Sequence, residues 1–144
     1  MSIRVVRLGT PRAPDEGPRL GTVRRPPRGV PKAQFSSGNW YDVWFPNLAP
    51  SSDLVSEGLS ADDDKAWKTF ERKYRAEMKA PDRARELDLL AALSHSSNFS
   101  VGCYCENAAR CHRSILASLL SERGADLTDS GERLPPQINT DKRR

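Results

Sequence analysis

Residues 10–32, TPRAPDEGPRLGTVRRPPRGVPK, hold six of the eleven prolines in this 144-residue chain. Proline locks φ and has no N–H to donate, so no regular helix runs through this stretch. The early part of the chain is therefore confined to extended and turn structure. Ahead of it, the β-branched run IRVVRLG (3–9) reads as a strand. Within it, RLGTV (19–23) reads as a short second strand and RRPPRG as a rigid turn.

Helical periodicity appears only later. A first helix is expected near residue 60, with Ser60 as N-cap, Asp63 closing a capping box and Asp62 to Asp64 at the positive end of its dipole. Trp67, Phe70, Tyr74 and Met78 recur at spacings of three and four, a core stripe. Pro81 opens a second helix over 82–93, facing inward through Ala84, Leu87, Leu90 and Ala91. FSVGCYC (99–105) reads as a buried strand, followed by a turn and a helix from near residue 108, N-capped by Asn107. Ile115, Leu116, Leu119 and Leu120 form its stripe, and Gly124 suits its C′ position. The pattern predicts a small single-domain α/β sandwich with a short, partly parallel sheet flanked by helices. Residues 1–127 form the domain, and 128–144 are expected to be a polar, flexible tail.

Charge is uneven. Residues 1–32 carry a net +6 within a chain of net +4. Such a segment suits an anionic partner, either a phosphorylated or nucleotide small molecule or a nucleic acid. No apolar run approaches the roughly 20 residues of a membrane span, so no membrane partner is expected. No signal peptide is read at the N-terminus. An odd count of three cysteines, packed locally, does not make a secreted disulfide framework and points to the reducing cytoplasm.

All three cysteines and one of the two histidines lie in GCYCENAARCHRS (102–114). On a strand, Cys103 and Cys105 share a face. A strand end feeding a helix start is where open α/β sheets bind ligands, and bare N–H groups there favour anions. Arg110 and Arg113 add cations, and Arg24 and Arg28, held by flanking prolines, are expected to fold over the same turn. The field also favours a thiolate, making Cys111, or Cys105 at the strand end, a candidate nucleophile with His112 as acid or base. The phosphatase-like spacing of Cys, five residues, Arg is absent.

A metal centre is the alternative. Cys103, Cys105, Cys111 and His112 supply three soft ligands and one imidazole, enough for tetrahedral zinc or for iron. Against it, Cys111 and His112 side by side on a helix would project about 100° apart and not easily grip one ion. Cys103 and Cys111 are otherwise small buried hydrophobes, and a Cys105–Cys111 disulfide is open under oxidation. Trp40, Tyr41, Trp44 and Phe45 are either core or base-stacking surface, and His95 is expected to be solvated.

Four blocks, in order, resemble the bacterial domain-of-unknown-function 488 (DUF488) family, in its YeaO-like branch. They are carried by Arg24, Pro27, Arg28 and Gly29; by Asp42, Trp44, Ala49, Pro50 and Ser51; by Phe70, Arg72 or Lys73, Tyr74 and Glu77; and by Cys103, Glu106, Cys111, His112, Arg113 and Ser114. Members often place a glutamate two residues after the first cysteine, where this chain has Cys105 and then Glu106. The resemblance implies a compact α/β domain, with Glu106 joining Cys111 and His112 as candidate catalytic groups and Ser114 joining the anion-binding set. It assigns no activity. Three functions compete: an enzyme acting on a phosphorylated, nucleotide or nucleic-acid substrate, a non-catalytic nucleic-acid-binding module, and a metal or redox protein.

Overall fold

The computed structural model describes residues 1–105 and 111–128. The predicted Asn107 cap, Glu106, Arg110 and almost all of the predicted tail lie outside the described residues. Five strands, β1 (Ile3–Arg7), β2 (Arg19–Gly21), β3 (Val43–Trp44), β4 (Phe99–Cys103) and β5 (Leu127–Thr128), form one sheet in the order β3-β2-β4-β1-β5. Every pairing is parallel. The sheet is thus wholly rather than partly parallel, as an α/β chain that returns through helices and loops between strands requires. β4 lies at its centre, buried at all five residues, as a strand covered on both faces should be.

Four helices follow the proline-rich segment: α1 (Ser52–Ser60), α2 (Asp64–Glu77), α3 (Pro81–Leu93) and α4 (His112–Glu122). The expected capping box at Ser60 is not what forms. Ser60 ends α1, its hydroxyl turned back to the carbonyls of Ser56 and Glu57. Asp63 caps α2 instead, accepting from the Ala66 amide at 2.7 Å. α1 itself was hidden in the sequence because only Leu54 of its nine residues is buried. α4 begins at His112, later than residue 108, and Cys111 is its N-cap in an extended conformation, φ −139° and ψ 149°. Its far end closes as expected. Gly124 takes φ +82°, and the amides of Gly124 and Ala125 bond back to Ser121 and Leu120, the paired bonds of a Schellman turn.

Two apolar clusters pack the sheet. The larger joins Ile3, Val5, Phe99 and Val101 to the buried faces of all four helices, including Phe70, Tyr74, Leu87 and Leu116. The smaller gathers Val6, Leu8, Val23, Tyr41, Cys103 and Cys111, with Phe35, Trp40, Tyr104 and Cys105 against it. Alternation along β1 sends Val5 to one and Val6 to the other. The proline-rich segment and its sequel therefore supply a second core. Gly21 records how closely they pack: a Cβ there would stand 2.2 Å from the Tyr41 ring.

Part of the early positive charge is taken up in ion pairs, one of them buried. Arg19 is wholly buried and forks onto the Glu16 carboxylate at 2.7 and 3.0 Å, while its remaining nitrogen donates to the carbonyls of Thr10 and Asn39. Burial alone would raise the Glu16 pKa, but hydrogen bonds from Arg19 and Ser100 outweigh it and the pKa is lowered. Arg12 forks onto Asp42, and Arg4 pairs with Asp15. Of the cations in this segment, Arg25, Arg28 and Lys32 are exposed and form no ion pair with any described residue. No helix among the described residues is long and apolar enough to cross a membrane.

Candidate metal centre at the end of the central strand

The carboxyl ends of β1, β2 and β4 converge at residues 102–103. Leu8 N donates to the Cys103 carbonyl at 2.8 Å, and Thr22 donates to the Gly102 carbonyl through both its amide and its hydroxyl at 3.0 Å. Cys103 is thereby fixed at the end of the central ladder, 1% exposed. Cys111 stands opposite, also 1% exposed, its carbonyl accepting from the amide and the hydroxyl of Ser114. The thiols of Cys103 and Cys111 and one ring nitrogen of His112 all lie within 4.8 Å of one another. Cys105 is half-buried, past the strand end, and outside that compact group.

The expectation that Cys111 and His112 could not face one ion fails on backbone conformation. Both were placed on a helix. Cys111 is instead extended and only His112 is helical, which swings the thiol out of the helical progression and toward the imidazole.

His112 is held from two sides. Its Nε2 lies 2.7 Å from the Thr22 carbonyl. A carbonyl only accepts, so Nε2 carries the proton and the neutral ring keeps its lone pair at Nδ1. Burial lowers its pKa, so the ring is neutral. The Tyr74 ring stands edge-on to it at 5.7 Å, and the Tyr74 hydroxyl is tied to the Leu48 carbonyl at 2.6 Å. A ring nitrogen donating to a backbone carbonyl, which leaves the other nitrogen free to ligate, is the outer-shell arrangement of a metal-bound histidine.

The three thiols are free and share hydrogen bonds. Burial pushes Cys103 up to about 12 and Cys111 well up. Cys105 accepts from both and its pKa is pushed well down, with the Arg113 charge lowering it further. In the metal-free cluster the ionised form is therefore favoured at Cys105 and disfavoured at Cys103 and Cys111. Arg113, wholly buried and donating to the Val6 carbonyl at 3.2 Å, supplies the countercharge.

The predicted arginine fork takes a different form. Arg24 donates to the Pro50 and Ala49 carbonyls at 3.1 Å and pins the loop ahead of α1. Arg28 is exposed. The proline-rich segment does reach the site, but through backbone: the Thr22 carbonyl on His112 and the Arg25 carbonyl on the Tyr104 hydroxyl at 2.8 Å. Thr22 and Tyr74 escaped the sequence reading, the first because only its carbonyl acts, the second because it reads as one more core aromatic.

A family profile described as the active DUF488-N3 subclade matches residues 3–124, from β1 to the end of α4. The chain belongs to the DUF488 family. The YeaO-like placement is not supported by this match. No curated protein and no solved structure matches it. Within this DUF488 domain the cysteine turn lies inside the matched span, and Cys103, Cys111 and His112 form a group able to hold a metal ion.

Proposed function

We propose that this DUF488 protein is a metalloprotein in which Cys103, Cys111 and His112 Nδ1 hold a thiophilic divalent ion, zinc by preference. The observation that carries the reading is that the two thiols and one ring nitrogen of His112 lie within 4.8 Å of one another, and the bond from Nε2 to the Thr22 carbonyl leaves Nδ1 as the ligand. Around tetrahedral zinc, bonds of about 2.3 Å to sulfur and about 2.0–2.1 Å to nitrogen put sulfurs about 3.8 Å apart and sulfur and nitrogen about 3.6 Å apart. Contraction by at most about 1.2 Å converts the metal-free cluster into a ligand set. Two thiolates, one imidazole and no carboxylate select zinc over magnesium or calcium, with iron the next candidate. When bound, the ion neutralises both thiolates and acts as a Lewis acid. Free thiols fit a reducing compartment such as the cytoplasm. A zinc-loaded centre moves Cys111 from candidate nucleophile to ligand and leaves Cys105 as the ionised thiol beside it.

Exposed Arg25, Arg28 and Lys32, of which Arg25 accepts from the Tyr104 hydroxyl through its carbonyl, support a second element of the reading, an anionic partner such as a phosphorylated small molecule or nucleic acid. Equilibrium dialysis of reduced protein against Zn2+ tests the centre. One ion per wild-type chain, lost in H112A and C103S, is expected. Equal binding by all three proteins overturns the assignment.

A further inference from the structure

Two of the three donors in the compact group are anchored by backbone bonds and the third through its ring: Cys103 by the β4 ladder, Cys111 by Ser114 at the start of α4, His112 by the Thr22 carbonyl. Among the described residues, no backbone hydrogen bond anchors Cys105. It lies two residues beyond β4, is half-buried where the other two thiols are 1% exposed, and stands outside the group. On the other sides the centre is closed by the Tyr74 ring, by wholly buried Arg113 and by the apolar residues Val6, Leu8 and Val23 of the smaller core. Of the three thiols, Cys105 is the one that solvent reaches. Three fixed protein ligands with a fourth position toward solvent is the pattern of reactive zinc sites, whereas four fixed ligands make a closed structural one.

We infer that, given the metal centre proposed above, its fourth coordination position is exchangeable and takes a small anion from solvent, with Cys105 lining that position rather than holding the ion. Two thiolates cancel the charge of a divalent ion, and the Arg113 guanidinium behind them favours an incoming anion. Binding there is ligand exchange: a metal-bound water leaves as the anion's donor atom takes its place, with no change of oxidation state. Cys105, already hydrogen-bonded to the other two thiols, competes for the position and sets how tightly an outside ligand is held.

The test uses full-length wild-type, C105S and C105A chains, checked for native circular dichroism, loaded with Co2+ and titrated with thiocyanate. C105S and C105A are expected to keep one Co2+ per chain, with affinity lowered by at most about tenfold, the low end of the cost of removing an outer-shell group. Their d–d absorption bands shift saturably with thiocyanate, at lower concentration than in wild type. If wild type binds Co2+ but both variants lose it, or if thiocyanate leaves the bands of all three proteins unchanged, the site is a closed three-cysteine, one-histidine centre and the inference is overturned while the metal centre stands. If wild type binds no Co2+ or Zn2+, the metal centre itself falls and the inference with it.

Discussion

The proposed metal centre predicts that zinc binding is linked to protons, with a definite sign and slope. Burial holds Cys103 up to about 12 and Cys111 well up, so both are protonated in the metal-free protein near neutral pH. Both must ionise to bind zinc. Cys105 is held down by its thiol hydrogen bonds and His112 by burial, so neither has a proton to give up there. Two protons leave per ion. Affinity therefore rises with pH by about 100-fold per pH unit, about 2.7 kcal/mol, and is lost at the same rate on acidification, until His112 protonates and steepens the fall. Competition against a chromophoric chelator between about pH 6 and about pH 8 measures the slope, and calorimetry in buffers of different ionisation enthalpy counts the protons directly. A slope near three would make Cys105 a protonated ligand. A slope below one would mean that buried thiols do not take the ion.

Three further outcomes follow from the fold. Glu16→Ala strands the wholly buried Arg19 guanidinium, and urea unfolding should show a loss of about 3–5 kcal/mol, the cost of breaking one side of a buried pair. A loss under about 1 kcal/mol would mean that water or another group solvates Arg19. Asp63→Ala removes the α2 cap and should cost about 1 kcal/mol, while Ser60→Ala stays within about 0.5 kcal/mol. The reverse order in a thermal melt would restore the capping box at Ser60. Gly102→Ala places a Cβ 2.8 Å from the Val6 carbonyl, beside the Leu8 side chain. It should destabilise by about 1–3 kcal/mol through overpacking, read as a lower urea midpoint with unchanged slope.

The helices with wide apolar stripes were legible in the sequence. Phe70, Tyr74 and Met78, then Leu87, Leu90 and Ala91, then Ile115, Leu116, Leu119 and Leu120 are all buried as their spacing implied, because a stripe that repeats at 3.6 residues has one face to hide. α1 was not legible, since only Leu54 of its residues is buried, nor was β5, two residues at the sheet edge. The cysteine turn was legible as a place but not as a geometry. Residue types put three thiols and an imidazole within ten positions. Whether they converge depended on the backbone at Cys111, which no side-chain pattern encodes. Charge misled most. Arg19 and Arg12 counted toward an anion-binding surface, yet their partners Glu16 and Asp42 turn them inward, and Asp42 lies 30 residues from Arg12 in the chain.

X-ray absorption at the zinc edge of the zinc-loaded protein reads the ligand set directly. Cys103, Cys111 and His112 require two sulfur scatterers at about 2.3 Å and nitrogen or oxygen at about 2.0–2.1 Å, with one sulfur lost in C103S. A first shell of nitrogen and oxygen alone, unchanged in C103S, would contradict the metal centre.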